Sequence, residues 1–205
     1  MYQHYTQRAY LERWKVNGYL FLFDKSGDLT KPESIQSAAK IFGIDDWQSV
    51  DQENAFAAVE RAKGHTHHVG EITDAAKISI LARWMALHAI RNGINVPDIS
   101  KMNYEAEVDK LAARFEGHYG FFQDFVAESL ITGDSPVVWV RHEKSPVDFY
   151  IAPAGPKRCV YLMPDDITFS HNGKPLFQAE EINRLVFNNA ARYCVSYDGS
   201  LHLPS

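Results

Sequence analysis

Several residues in this chain have the chemistry to do work, and Asp134 is the most pointed of them. It stands in the stretch ITGDSPVVWV (131–140), between a predicted helix end at Thr132-Gly133 and an apolar strand starting at Val137. One reading makes it an Asx-type turn residue whose carboxylate accepts backbone N–H bonds while Pro136 starts the strand. The other makes it a catalytic or ligand-binding acid at the mouth of a strand. Asp165-Asp166 pose the same choice after Pro164, with turn chemistry the stronger reading. The stretch GHTHHVGE (64–71) gathers His65, His67, His68 and Glu71, which are ligand types for zinc or nickel. Their spacing fits no named metal motif, and Gly64 and Gly70 predict a loop, so a solvated inter-helix loop is the favoured reading and a metal site the alternative. His88 lies on the apolar stripe of a predicted helix and reads as a satisfied core histidine. Arg91, one turn further on, reads either as a last-turn cation complementing the helix dipole or as an inward guanidinium aimed at a carboxylate or phosphate. Asp134-Ser135 with His142-Glu143-Lys144 faintly suggests a metal-dependent nuclease, but period two in a strand would send Glu143 and Lys144 to opposite faces. No Ser–His–Asp order, phosphate loop, dinucleotide fingerprint or paired-cysteine zinc motif is present.

The elements that would position these groups come in two kinds. QRAYLERW (7–14) predicts a short helical turn, and GYLFLFDKSGDLTK (18–31) a β-hairpin around Asp24-Lys25-Ser26-Gly27. Ser34 or Glu33 predicts the start of a short helix ending near Gly43. Helices are expected over 50–62, over the segment capped by Thr73 and closing at Asn92-Gly93, and over 104–116 and 119–131. The last of these carries Phe121, Phe122, Phe125, Val126 and Leu130. From 137 the chain turns β-rich, with PVVWVRH, DFYIAP, RCVYLMP and ITFS as short strands. EEINRLVFNNAARYC then predicts a helix leading into a strand at 193–196. The expected fold is α+β, with a helical middle region packed against a mixed or antiparallel sheet built from the N-terminal hairpin and the C-terminal strands. One domain, 1–205, is expected, with a helical subregion at 50–131 and a β-rich one at 134–205. Residues 92–100 are the expected surface connection.

The 205 residues suffice for one real core, and 45% apolar with 13% aromatic residues marks a globular chain. A formal charge of −5 gives no support to a general nucleic-acid-backbone binder, although a local basic groove is compatible with it. No apolar run approaches a membrane span and no signal-peptide pattern opens the chain, so a cytoplasmic location is expected. Cys159 and Cys194 lie in apolar, strand-forming runs and are expected to be buried free thiols, with a single disulfide as the alternative.

Taken together, several blocks resemble a bacterial family, domain of unknown function 4238. His4-Tyr5 followed by Tyr10-Leu11 and Trp14 is similar to its opening motif, and the hairpin GYLFLFDKSG follows. LARWMALHAIRN (81–92) is similar to its central helix, which ends in an arginine, here Arg91. TGDSPVV (132–138) places Asp134 on the family aspartate. RCVYLMP (158–164) resembles its strand ending in proline, and INRLVFNNAARYCVS (182–196) places Asn183 on the family asparagine. Gln3 stands where a first histidine is usual, Gln7 where proline is usual, and Asn92-Gly93 where Thr-Pro commonly follows the arginine. The resemblance implies a set of polar residues, His4, Arg91, Asp134 and Asn183, rather than an activity.

Polar residues drawn from distant segments suggest a site. The first expectation is an enzyme or ligand-binding protein acting on a phosphate-containing substrate, nucleotide or nucleic acid, through a polar cleft at the sheet edge. A hydrolase is its most economical form. Asp134 would be general base or metal ligand, His4 its acid-base partner, Arg91 the anion binder and Asn183 the group orienting a carbonyl or water. The second expectation is an acidic protein-binding module that inhibits a nucleic-acid-handling partner, with Tyr2, Tyr5, Tyr10, Trp14 and Tyr197 at the interface. A third is a buried Arg91–Asp134 pair that braces the fold. No cofactor is specified by the sequence.

Overall fold

A computed structural model describes residues 8–29, 33–35, 78–91, 103–116, 118–127, 129–141, 148–164 and 177–203. Expectations that rest on His4, the helix at 50–62, the histidine cluster at 65–68, the connection at 92–100, residues 142–144, Asp165-Asp166 and the strand ITFS lie outside these residues.

The elements, in chain order, are α1 (Arg8–Leu11) continuing into a 3-10 turn (Glu12–Trp14), β1 (Leu20–Asp24), β2 (Glu33–Ile35), α2 (Ile78–Arg91) and α3 (Tyr104–Glu116). Then follow β3 (His118–Asp124), β4 (Ile131–Gly133), β5 (Val138–Arg141), β6 (Asp148–Gly155), β7 (Arg158–Pro164), α4 (Ala179–Asn189) and β8 (Tyr193–Ser196). The fold is α+β, but among the described residues the strands make two antiparallel four-stranded sheets rather than one. Their orders are β2-β1-β8-β4 and β3-β7-β6-β5.

Two expected helices are strands. Residues 118–124 pair in full with β7, from His118 opposite Pro164 to Asp124 opposite Arg158. The aromatic run that fits a helical period also fits a pleated one. The cross-strand stack of Phe121 on Tyr161, with centroids 4.5 Å apart and planes 3° apart, favours the pleat. Thr132-Gly133, expected to end that helix, instead lies in β4. Glu33–Ile35, expected to open a helix, pairs with β1 as the return strand of the expected hairpin. A tighter turn precedes it. Asn17 (φ 52°) and Gly18 (φ 84°) both adopt left-handed backbone and close a bridge between Val16 and Tyr19, the Asn-Gly signature of a type I′ turn.

The inner strands β6 and β7 are buried on both faces, and their alternation shows how. In β7, Val160 and Leu162 enter one core while Cys159, Tyr161 and Met163 enter the other. β6 divides likewise, with Tyr150, Ala152 and Ala154 against Phe149 and Ile151. The first core is closed by α1, α2 and α3. Residues 81–90 of α2 are all buried, so this helix is apolar nearly all round. α3 contributes a single stripe, Tyr104, Val108, Leu111, Ala112 and Phe115. The second core is covered by α4 through Ala179, Ile182 and Val186, and that helix starts in a capping box between Gln178 and Glu181. Among the described residues no helix is long and apolar enough to cross a membrane.

The two polar residues buried on α2 serve the fold. Arg83 pairs with Asp109 of α3. His88 is fully buried, its ring 4.8 Å from that of Trp84 and 5.9 Å from that of Tyr10, so it lies in the core as expected. Tyr10 and Trp14, read from sequence as interface aromatics, are fully buried instead. Tyr10 joins the two sheets. Its hydroxyl donates to the Pro153 carbonyl of β6 at 2.6 Å and lies 2.6 Å from the Thr132 hydroxyl of β4, which must then be the donor. Burial raises the Tyr10 phenol far above its ordinary value and keeps it protonated. At the far end of β1, Asp24 Oδ2 accepts from Arg192 Nε at 3.1 Å and Nη2 at 2.8 Å.

Replacing Tyr10 by Phe should cost about 1–3 kcal/mol in urea unfolding, because two buried groups lose their partner. A loss under about 0.5 kcal/mol would remove the bridge from the account. Hydrogen bonds from Arg192, then from Ser26, hold Asp24 down from 3.8 to about 2. Its folded value is depressed, so its contribution is complete above about pH 4 and is lost as pH falls toward 2. Asp24→Asn should therefore reduce the loss of stability over that window and leave the pH dependence from 5 to 8 unchanged.

Candidate functional site

Asp134 turns out to be a clamp. β4 ends at Gly133, and the next side chain points back into the protein with 2% of its surface exposed. Its Oδ1 accepts the Ala191 amide at 2.8 Å, and its Oδ2 accepts those of Arg192 at 2.8 Å and Tyr193 at 3.0 Å. Its own N–H donates to the Tyr193 carbonyl at 3.1 Å. A buried carboxylate is tolerable only when strong donors replace its water, and here three successive amides just past α4 do so. The turn reading is thus right in kind, since the acid binds backbone N–H groups, but those groups lie 57 to 59 residues away.

Asn183 is also buried and also occupied. Its Oδ1 accepts the Ile131 amide at 2.9 Å, while Nδ2 donates to the carbonyls of Ser129 at 2.9 Å and His202 at 3.4 Å. The structure therefore brings Asp134 and Asn183 to the same seam, one at each end of β4. Two residues without an expected role complete it. Asn189 Nδ2 donates to the Ser135 and Val137 carbonyls at 2.8 and 3.0 Å. A Cβ at Gly133 would lie only 3.0 Å from both Ala190 Cβ and the Tyr193 carbonyl oxygen, so glycine lets β4 reach the corner of α4 and β8. Arg91 is the last residue of α2, with its side chain outside the described residues, and His4 lies outside them altogether.

Other reactive groups resolve into structure as well. Cys159 and Cys194 are free and buried, as expected, and burial pushes both thiols up to about 12, so neither is a thiolate at neutral pH. Ser196, Asp198 and His202 form a chain of contacts, with Ser196 Oγ 3.0 Å from Asp198 Oδ1 and Asp198 Oδ2 2.7 Å from His202 Nε2. The acid lies between serine and histidine, so the histidine cannot take the serine proton, and Ser196 is fully buried. Among the described residues no group of three or more His, Cys, Asp or Glu side chains could hold a metal.

A cleft of about 670 Å³ lies elsewhere, at the β6–β7 hairpin, lined by Arg13, Asp124, residues 154–158 and Tyr197. Three of its side chains are cationic, Arg13, Lys157 and Arg158, against one carboxylate, on a chain whose net charge is −5. Arg13 stands on the 3-10 turn, where Nη1 donates to the Ala154 carbonyl at 3.0 Å. Arg158 Nε and Nη2 grip the two oxygens of Asp124 at 2.6 and 2.9 Å, and its guanidinium carbon lies 5.5 Å from the centre of the Phe122 ring. Hydrogen bonds to Arg158 hold the Asp124 carboxyl below its ordinary range, and the same bonds raise Arg158. Lys157 Nζ donates to the Ala127 carbonyl at 3.3 Å. The hairpin tip is fixed from below, since its Pro156 and Lys157 carbonyls accept the amides of Leu130 at 2.7 Å and Phe125 at 2.8 Å. Of these residues only Tyr197 carries a sequence signal, as one of the terminal aromatics. The spacing from Arg13 to Lys157 hides the rest.

No protein-family model, curated protein or solved structure matches this chain.

Asp134→Asn keeps the shape but turns an N–H₂ group toward amide donors, so unfolding in urea should show a loss of about 2–4 kcal/mol. An unchanged or raised stability would mean that the acid is held at a cost to the fold and would return it to the list of functional groups.

Proposed function

We propose that this chain is a binding protein for a small phosphate-bearing ligand, held in the cleft at the β6–β7 hairpin. The convergence of Arg13 with Lys157 and Arg158, from segments more than 140 residues apart, on one concavity of an acidic chain carries the reading. The Arg13 guanidinium is a planar donor group suited to phosphate oxygens and Lys157 adds a mobile point charge, while Arg158 stands beside them with its Nε and Nη2 engaged by Asp124. About 670 Å³ lies inside the range of small-ligand sites.

The ligand-binding form of this reading is favoured over a hydrolase by how the acids are used. Asp134 spends its carboxylate on three amides, and Asp124 spends its own on Arg158. A cytoplasmic setting is supported by two free thiols. We likewise propose kinship with the domain of unknown function 4238 family, on the order of the sequence blocks. A second reading, a module that docks another protein, draws on Val126, which is 97% exposed and next to the residue whose carbonyl Lys157 binds.

Calorimetric titration with inorganic pyrophosphate tests the first reading. Binding should weaken about tenfold in Lys157→Gln, the loss expected for one charge-assisted contact, and should weaken further as salt is raised. Absence of binding, or binding indifferent to Lys157→Gln, would overturn it.

A further inference from the structure

We propose that the ligand carries a planar ring as well as a phosphate, in the manner of a nucleoside monophosphate, and that Tyr197 is the platform on which the ring stacks. This rests on the phosphate-binding reading above. An oxyanion alone is far smaller than the about 670 Å³ available. The cleft also offers two kinds of surface. Arg13, Lys157 and Arg158 supply charge, while Ala154, Pro156 and Tyr197 supply apolar area.

Tyr197 is placed rather than merely present. It is 37% exposed, although the three residues before it, Cys194, Val195 and Ser196, are buried in β8. The turn that follows is tightly bonded. Ser196 Oγ accepts the amides of Asp198 at 3.2 Å and Gly199 at 3.1 Å, and Asp198 Oδ1 accepts that of Ser200 at 3.1 Å. Gly199 takes φ 82°, the left-handed backbone this turn needs. An aromatic ring held half-exposed by a rigid turn loses little freedom on stacking. Stacking accepts any base, because each has a π-face, while the cations fix the phosphate.

The same chemistry could come from a free nucleotide or from one residue of a single strand. The chain's net −5 opposes a long polyanion, so the free nucleotide is the inferred ligand. Calorimetry with ribose 5-phosphate, adenosine 5′-monophosphate and a single-stranded dA hexamer separates the cases. Adenosine 5′-monophosphate should bind about tenfold more tightly than ribose 5-phosphate. Tyr197→Ala should remove that advantage and leave ribose 5-phosphate binding unchanged, while Tyr197→Phe should keep it. Equal binding of the two monophosphates, or equal weakening of both by Tyr197→Ala, would overturn the ring platform and leave the phosphate site standing. A hexamer bound more than tenfold more tightly than adenosine 5′-monophosphate would overturn the free nucleotide. Binding of none of the three would bring down the phosphate reading and this inference with it.

Discussion

The contact on which the rest of this architecture depends is the carboxylate of Asp134 on the amides of residues 191–193. It closes the corner where α4 ends, β4 ends and β8 begins. β8 is an inner strand of its sheet, paired with β1 on one side and β4 on the other, so the corner sets the register of three strands. Asn183, buried, and Asn189, half-buried, repeat the device along α4, each bonding its side-chain amide to backbone groups of the 129–137 segment. Buried polar groups of this kind are stabilising only when fully satisfied, and their geometry then admits one arrangement.

The proposed cleft inherits its rigidity from that seam. β8 leads directly to Tyr197, and Phe125 and Leu130, just before β4, hold the tip of the β6–β7 hairpin by two backbone bonds. Tyr10 ties the sheets together through Thr132 and Pro153, just before the hairpin residues that line the cleft. Arg13, three residues beyond Tyr10, is carried to the cleft by the same short helix whose Tyr10, Leu11 and Trp14 are fully buried. Surface cations are thus mounted on elements that the core fixes, so their spacing can match a ligand without large ordering cost.

The fold class and several elements were legible in the sequence, because the runs after 137 are apolar, β-forming and punctuated by Pro, Gly and Asp, and α4 carries one apolar stripe. The segment 118–131 was not. Phe121, Phe122 and Phe125 satisfy both periods, and a partner strand 40 residues later decided between them. The importance of Asp134 and Asn183 was legible too, but not its nature. Residue type alone cannot tell a carboxylate that meets substrate from one that meets distant amides. The cleft residues went unseen for the opposite reason, since Arg13, Lys157 and Arg158 are ordinary surface cations until the β6–β7 hairpin and the 3-10 turn converge.

The polar seam at Asp134 holds the fold together, and the hairpin cleft is the site proposed for recognition. An amide chemical-shift map recorded while inorganic pyrophosphate is added tests this most directly. The predicted result is a set of shifts confined to Arg13, the 154–158 hairpin and Tyr197, with residues 131–134 and 189–193 unmoved. Shifts centred on Asp134 and Asn183 instead would contradict it and make the seam the site.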